Sequence, residues 1–365
     1  MINTRQWIDD LERWAFPSAF NEPVLPKDHV YSFISKTTVM NELMHNVSDD
    51  YVRELVNSMY TIPRINRHQL KRYVILDYPL AVIESIFRKE HVHKIRSIQA
   101  GLYPYNSGRE INACAIVSPA GDGVVFFSEW LYAFLWDYFH AVSDTFLPGT
   151  RAGNSTAEHQ REARKIKTEF IRKLKTGAYK NWDMNAVIAS NRVTNSAKYD
   201  LLFALIFIWA HELGHIFLSH HDASQLGQKV FISEDGEECQ LPVYNLNQVQ
   251  EFDADMFASD IYFAYLTKGI SFQDESFKLS AIARGLEFLE LLAYTEKEPS
   301  SEDWKNASHP PSPSRLLNIC LRHRDLLSKY GWGDLFVRLK HAAGKGNPIS
   351  KYDFQKDVGA NLLLQ

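Results

Sequence analysis

The stretch Leu201–Ala210, LLFALIFIWA, runs directly into HELGH at 211–215, and together they predict one long helix. A helix that is apolar on all sides is typical of a protein core. Residues four apart on a helix share a face, so the imidazoles of His211 and His215 converge on one point. A divalent metal can bind there, with Glu212 beside it to accept a proton from a metal-bound water. This is the arrangement of a zinc hydrolase.

The H-E-x-x-H pattern also occurs by chance, and the alternative is a helix with two hydrogen-bonded histidines. Burying three ionisable groups at the end of an apolar helix is costly unless they are paired or bound to metal. This favours the metal. Gly214 costs the helix about 1 kcal/mol relative to alanine. A glycine at this position therefore predicts that another backbone, or a substrate, approaches closely.

A catalytic zinc site needs a third protein ligand. His221 has the spacing of the metzincin pattern, but Leu218 stands where that pattern needs the glycine at which the helix turns. We therefore expect the helix to continue past Leu218 and His221 to stay away from the metal. The better candidate is Glu251 on a second predicted helix, where apolar residues recur at helical spacing.

Asp255 shares a helix face with Glu251, since the two are one turn apart. It is a candidate to accept a hydrogen bond from the far ring nitrogen of a ligand histidine and so to fix its tautomer. The alternative for this segment is a solvated acidic face, because Asp253 and Asp260 are acidic too. Asp253 projects elsewhere on the helix and is expected to be solvated.

The chain resembles the gluzincin metallopeptidases, with HELGH at 211–215 followed by EFDAD at 251–255. The likeness is to the CAAX-protease and HtpX-like family and to the soluble phage-exclusion Lit-type peptidases. His309–Leu316, HPPSPSRL, is similar to a downstream H-P-x-x-x-x-R-[IL] segment of that family. Ile111–Phe127 is similar to the strand region ahead of the catalytic helix. The resemblance runs roughly from Ser97 to Arg324.

The resemblance implies that His211, His215 and Glu251 bind Zn²⁺ and that Glu212 is the general base. It implies a soluble, zinc-dependent endopeptidase of protein or peptide substrates, possessing the narrow specificity of a host-defence or regulatory protease. The alternative is a catalytically silent metal-binding regulator or interaction protein. The intact Glu212 argues against that alternative, because a scaffold has no need of the base.

Three further residues are placed near the cleft by the same resemblance. His309 is expected to stabilise the oxyanion as a second catalytic group, unless it is only a turn histidine before two prolines. Arg315 is expected to do the same or to orient Glu251 and Asp255, unless it merely opens the next helix. His220 is expected beside the metal ligands or at the surface, but not on the metal.

Composition excludes several classes of protein. A formal net charge of −4 over 365 residues argues against non-specific nucleic-acid binding. LLFALIFIWA is too short to cross a bilayer, so no membrane span is predicted. The N-terminus lacks the apolar centre of a signal peptide, and the 3 cysteines are scattered, so a cytoplasmic protein with free thiols is expected. The substrate and the oligomeric state are left open.

The predicted fold class is α+β and mostly helical, with a zincin-like core made of a small antiparallel sheet and an active-site helix. Residues 1–95 are predicted to be a helical N-terminal region that serves as cover or in recognition. The peptidase domain is predicted over 96–345 and a C-terminal tail over 346–365. A β-hairpin is predicted at 229–244, either as a flap over the substrate or as a passive surface ribbon. Ile111–Phe127 is expected to supply the edge strand along which a substrate pairs, or else a core hairpin.

Overall fold

A computed structural model describes residues 3–37, 65–87, 92–103, 113–144, 195–219, 226–244, 248–266 and 312–329, together with parts of 161–172. The described chain is mostly helical with one five-stranded sheet, which confirms the predicted α+β class. Two site candidates, His220 and His309, lie outside the described residues.

The helices are named in chain order. They are α1 (Thr4–Ala15), α2 (Lys27–Thr37), α3 (Arg67–Arg72), α4 (Tyr78–Ile86), α5 (Val92–Arg96), α6 (Glu129–Asp144), α7 (Asn195–Phe217), α8 (Gln248–Ala264), α9 (Ser312–Arg322) and α10 (Arg324–Lys329). The strands are β1 (Gln99–Tyr103), β2 (Ala113–Val117), β3 (Gly123–Ser128), β4 (Leu226–Ile232) and β5 (Glu238–Tyr244). A short 3₁₀ turn at Ala19–Asn21 follows α1, and a π-helical turn at Tyr73–Asp77 joins α3 to α4.

The sheet has the strand order β1-β3-β2-β5-β4. The hairpins β2–β3 and β4–β5 are antiparallel, as is the contact between β2 and β5, but β1 runs parallel to β3. The sheet is therefore mixed, whereas an antiparallel sheet was expected. Alternation of apolar residues predicts that a segment is a strand, but it carries no information about the direction of its neighbour.

The β2 strand lies inside the sheet, so the prediction of an edge strand holds only in part. It pairs with β3 along its whole length, but with β5 only through Ile116 and Val243. The outer strands of the described sheet are β1 and β4. On its β5 side, β2 is thus paired at one position, and the preceding residues face the end of α7.

The long helix α7 forms the centre of the core, as its apolar sequence predicts. Every residue from Leu201 to Ala210 is buried. Trp209 donates a hydrogen bond of 3.0 Å from its indole nitrogen to the carbonyl of Ile75 in the π-helical turn. The helix α6, which is rich in aromatic residues, packs against α7 and belongs to the core as well. By length and composition the segment Ala197–Phe217 could cross a membrane, but 89% of it is buried inside the protein, as in an ordinary core helix.

The end of α7 differs from the prediction. The helix ends at Phe217, and Ser219 adopts a left-handed conformation with φ 55°. The amide of Leu218 still bonds to Gly214 and that of Ser219 to Ile216, at 2.9 and 3.2 Å. These two bonds close the last turn and satisfy carbonyls that would otherwise lack partners. The chain therefore turns without a glycine, and the expectation that the helix continues was wrong.

The N-terminal helix α1 covers one face of the sheet. Ile8 is fully buried in a cluster with Phe126 and Phe231. Glu12, also buried, accepts hydrogen bonds from His68, Arg72 and the backbone amide of Leu102, and so joins α1 to α3 and β1. The helix α1 therefore packs directly on the strands of the sheet.

The β4–β5 ribbon is a hairpin with its turn at 233–237, as predicted. Its strands belong to the five-stranded sheet, and the end of α1 holds its turn. The amide of Glu234 bonds to the carbonyl of Ala15 at 3.0 Å, and the indole of Trp14 bonds to Glu237 at 3.1 Å. The hairpin is thus held by the sheet through β5 and by α1 at its turn.

Candidate metal centre

The two histidines and the glutamate predicted as ligands meet between α7 and α8. One donor atom each from His211, His215 and Glu251 lies within 4.8 Å of the others, and all three residues are buried. The Nε2 atoms of the histidines are 3.1 Å apart. The carboxylate of Glu251 is 3.4 Å from Nε2 of His211 and 3.6 Å from Nε2 of His215.

Gly214 allows the two helices to come this close. A Cβ at this position would lie only 3.0 Å from the Cα and 3.3 Å from the carbonyl oxygen of Ala254 in α8. The backbone approach predicted from this glycine is therefore found in the structure. It brings Glu251, one turn before the contact, within reach of the histidines of α7.

Asp255 lies behind His211 and orients its ring. Its Oδ1 is 3.0 Å from Nδ1 of His211. A carboxylate at this distance favours a proton on Nδ1 and leaves the lone pair of Nε2 pointing at the metal position. The predicted location of Asp255 behind a ligand histidine agrees with this contact.

Arg315 enters from α9 and completes the buried charge network. Its Nε and Nη2 donate to the two carboxylate oxygens of Asp255 at 2.7 and 2.8 Å. Its Nη2 is also 3.8 Å from Glu251. Of the three alternatives expected for Arg315, the one that places it against Glu251 and Asp255 agrees with these contacts.

The buried charges favour a cation at this point. The carboxylates of Glu251 and Asp255 lie beside the guanidinium of Arg315, and these groups and the carboxyl group of Glu212 are all buried. Burial alone would lower the pKa of His211, but hydrogen bonds to Asp255 and Glu251 and the charges of both carboxylates raise it to about 10. A positive charge is therefore stabilised beside Asp255 and Glu251, and a bound divalent ion would supply it.

The donor set fits a metal. Two imidazole nitrogens and one carboxylate are ligands typical of catalytic zinc, which leaves a fourth position for water. Two nitrogens 3.1 Å apart, each with a lone pair available for this point, repel one another unless a proton or a metal lies between them. The arrangement is thus suited to an ion of this class, while its identity is not fixed by the geometry.

Glu212 lies beside the site rather than in the ligand set. Its carboxylate accepts a hydrogen bond from the backbone amide of Ala115 in β2, on the side that faces α7. Burial raises the pKa of Glu212 to about 7, with a further increase from the charge of Glu251 and an opposing effect from His211. A carboxyl group with a pKa near neutrality is well matched to proton transfer.

Sequence reasoning missed two features of this region. Ala115 contributes its backbone amide, which no side-chain motif can reveal. Asp253 was expected to be solvated, and Asp260 belonged to the alternative of a solvated acidic face, yet both are buried. Asp260 pairs with Arg322 of α9, at 2.7 and 2.5 Å. Asp260 is buried because α9 covers the face of α8 that carries it.

Comparison with known families gives one match. The sequence model of the family Peptidase U49 matches residues 126–332, which is more than half of the chain. No curated protein and no solved structure matches. The matched range starts in β3 and includes α6, α7, the β4–β5 hairpin, α8 and α9, and thus every residue of the candidate metal centre except Ala115.

The chain belongs to the peptidase U49 family. It is therefore a peptidase, a hydrolase that acts on proteins or peptides. Lit-type peptidases are members of this family, so that part of the expected resemblance is confirmed. The match does not extend to the wider gluzincin or CAAX-protease and HtpX-like resemblance, which stays an expectation.

Proposed function

We propose that the protein is a zinc-dependent endopeptidase in which His211, His215 and Glu251 hold the metal and Glu212 is the general base. The observation that carries this proposal is the convergence of these three buried donors within 4.8 Å, with the carboxyl group of Glu212 beside them. Membership of a peptidase family supplies the reaction class, which is hydrolysis of a peptide bond.

A bound Zn²⁺ would lower the pKa of a coordinated water and polarise the carbonyl to be cleaved. Glu212 would accept the proton of the attacking water and pass it to the amine that leaves. Its pKa near 7 supports both transfers, because the group can then hold or release a proton at neutral pH. Asp255 would hold His211 in the tautomer that binds metal, and Arg315 would hold Asp255.

The substrate is proposed to bind as an extended segment beside β2. The residues of this strand before Ile116 pair with β3 and not with β5, and the backbone amide of Ala115 donates to Glu212. Extended peptides commonly bind by adding a strand to such an edge. A substrate carbonyl would then lie between the strand and the metal position.

The proposal is tested by two variants that separate chemistry from metal binding. Glu212→Gln is expected to keep zinc but to lose turnover by a factor of roughly 10²–10⁴, the usual contribution of a general base. His215→Ala is expected to lose zinc and activity together. Both are compared with the wild type on an unstructured protein such as casein, with zinc content determined on the same samples.

The matched control is Glu238→Gln, the same chemical change at an exposed position of β5. It should behave as the wild type in both measurements. A fully active Glu212→Gln protein would refute the role given to this carboxyl group. If the wild type binds zinc but cleaves no substrate, just as Glu212→Gln does, the result would instead favour a silent metal-binding regulator.

A further inference from the structure

Two arginine–aspartate pairs join α8 to α9. Arg315 binds Asp255 through two hydrogen bonds of 2.7 and 2.8 Å. Arg322 binds Asp260 in the same manner, at 2.7 and 2.5 Å. In both pairs the planar guanidinium meets both carboxylate oxygens, a geometry that tolerates little displacement. Only the first pair touches the metal centre.

The two pairs fix the alignment of the helices. The helices run in the same direction, since the higher-numbered aspartate binds the higher-numbered arginine. Arg315 and Arg322 are about two helical turns apart, so they lie on the same face of α9. One bidentate pair alone leaves α9 free to pivot about it, whereas two pairs fix both the rotation and the sliding of one helix on the other.

The other contacts described at this interface are apolar or involve single hydrogen bonds. Asn318 lies between the two arginines and is fully buried, yet its amide makes no hydrogen bond to any residue that the structure describes. Ile319 is buried in the main core, and apolar packing has no preferred direction. Near Arg322, His323 lies 2.9 Å from the hydroxyl of Ser259, which in turn donates to the carbonyl of Met256.

Arg315 acts on the metal position through Asp255 and through its proximity to Glu251, at 3.8 Å. It holds Asp255, whose Oδ1 lies 3.0 Å from Nδ1 of His211. A displacement of α9 along α8 would carry Arg315 away from Asp255 and release the histidine ring.

We propose that Asp260 and Arg322 are positioning residues, which align α9 so that Arg315 orients Asp255 and His211 for metal binding. This inference rests on the proposed metal function. General stabilisation is a weaker explanation, because a buried ion pair often contributes little to stability compared with apolar residues of the same size.

The experiment compares Arg322→Gln, Asp260→Asn and the double variant Asp260→Asn/Arg322→Gln with the wild type. The probe is Zn²⁺ alone, whose affinity is measured by competition with a chromophoric chelator. The visible absorption of added Co²⁺ reports the geometry of the ligands. Each single variant is expected to bind zinc roughly tenfold more weakly, at the low end of the effect of removing groups behind metal ligands. The double variant should be no worse than either single one, because the pair acts as a unit.

The matched control is Lys71→Met, which breaks a partly buried ion pair of 2.7 Å with Glu129, between α3 and α6. It is expected to lower stability while zinc affinity and the Co²⁺ spectrum stay as in the wild type. This separates loss of stability from loss of alignment. If the single variants do not fold, the double variant, which leaves neither charge buried alone, is the decisive protein.

The outcomes separate the two proposals. A wild type that binds no metal contradicts the proposed function and this inference with it. A wild type that binds metal, with folded Asp260 and Arg322 variants that show the same zinc affinity and Co²⁺ spectrum, overturns this inference and leaves the proposed function standing. Weaker zinc binding with an altered spectrum in these variants, but not in Lys71→Met, supports it.

Discussion

Gly214→Ala tests whether close contact of α7 and α8 creates the metal site. The new Cβ would lie 3.0 Å from the Cα of Ala254, and ordinary contact begins at 3.4 Å, so the helices must separate by about 0.4 Å. Metal–ligand distances tolerate deviations of only about 0.2 Å. Because Glu251 lies on α8 and both histidines lie on α7, the separation acts directly on the distances between the ligands.

The effects on stability and on metal binding are expected to differ. Alanine gains about 1 kcal/mol in helix propensity over glycine, whereas overpacking costs about 1–3 kcal/mol. The free energy of unfolding should thus fall by no more than about 2 kcal/mol without metal. Zinc affinity should fall at least roughly tenfold, as for other changes that displace ligands.

Urea unfolding of the metal-free protein and chelator competition measure the two quantities separately. Gly214→Ala/Ala254→Gly removes the contact of 3.3 Å between the two Cβ atoms and should recover part of the affinity. A Gly214→Ala protein that binds zinc as tightly as the wild type would show that the helix contact does not determine the ligand geometry.

Two further predictions concern the stability of the fold. Burial opposes ionisation of Glu12, but a hydrogen bond from His68 and the charge of Arg72 outweigh it, and the pKa of Glu12 is lowered below its ordinary value of 4.5. Ionised Glu12 therefore stabilises the fold above pH 4.5, and this contribution is lost as the pH falls through the lowered pKa. Glu12→Gln should lower the free energy of unfolding by about 3–5 kcal/mol at pH 7 and by progressively less in acid, as measured by urea unfolding. A difference in unfolding free energy between this variant and the wild type that does not depend on pH would contradict the prediction. Asn318→Leu should raise the free energy of unfolding by about 1–3 kcal/mol, because it removes a buried amide without a partner in the described chain. A loss of stability would show that this amide is satisfied, for example by water.

The sequence predicted the parts of the site that depend on one helix. The apolar run before His211 marks a buried helix, and the spacing to His215 places both imidazoles on one face. The choice of Glu251 over His221 as the third donor also agrees with the geometry, although for a partly different reason. The helix does turn after Phe217, and Glu251 reaches the histidines because Gly214 lets α8 approach.

The remaining features depend on pairings between distant segments. Asp253 and Asp260 lie in a helix with polar residues on several sides, and its own sequence does not tell which of these a distant helix covers. Arg322, which pairs with Asp260, follows it by 62 residues in the chain. The parallel direction of β1 could not be predicted for a similar reason, since the sequence pattern of a strand is the same for parallel and antiparallel neighbours.

The central claim is that two histidines and one glutamate from two helices hold a single divalent ion. Elemental analysis of the purified protein, stripped with a chelator and then dialysed against Zn²⁺, tests it most directly. One zinc per chain in the wild type, and none in His215→Ala, is the predicted result. A wild type without metal, whose unfolding temperature is unchanged by any added divalent ion, would contradict the account.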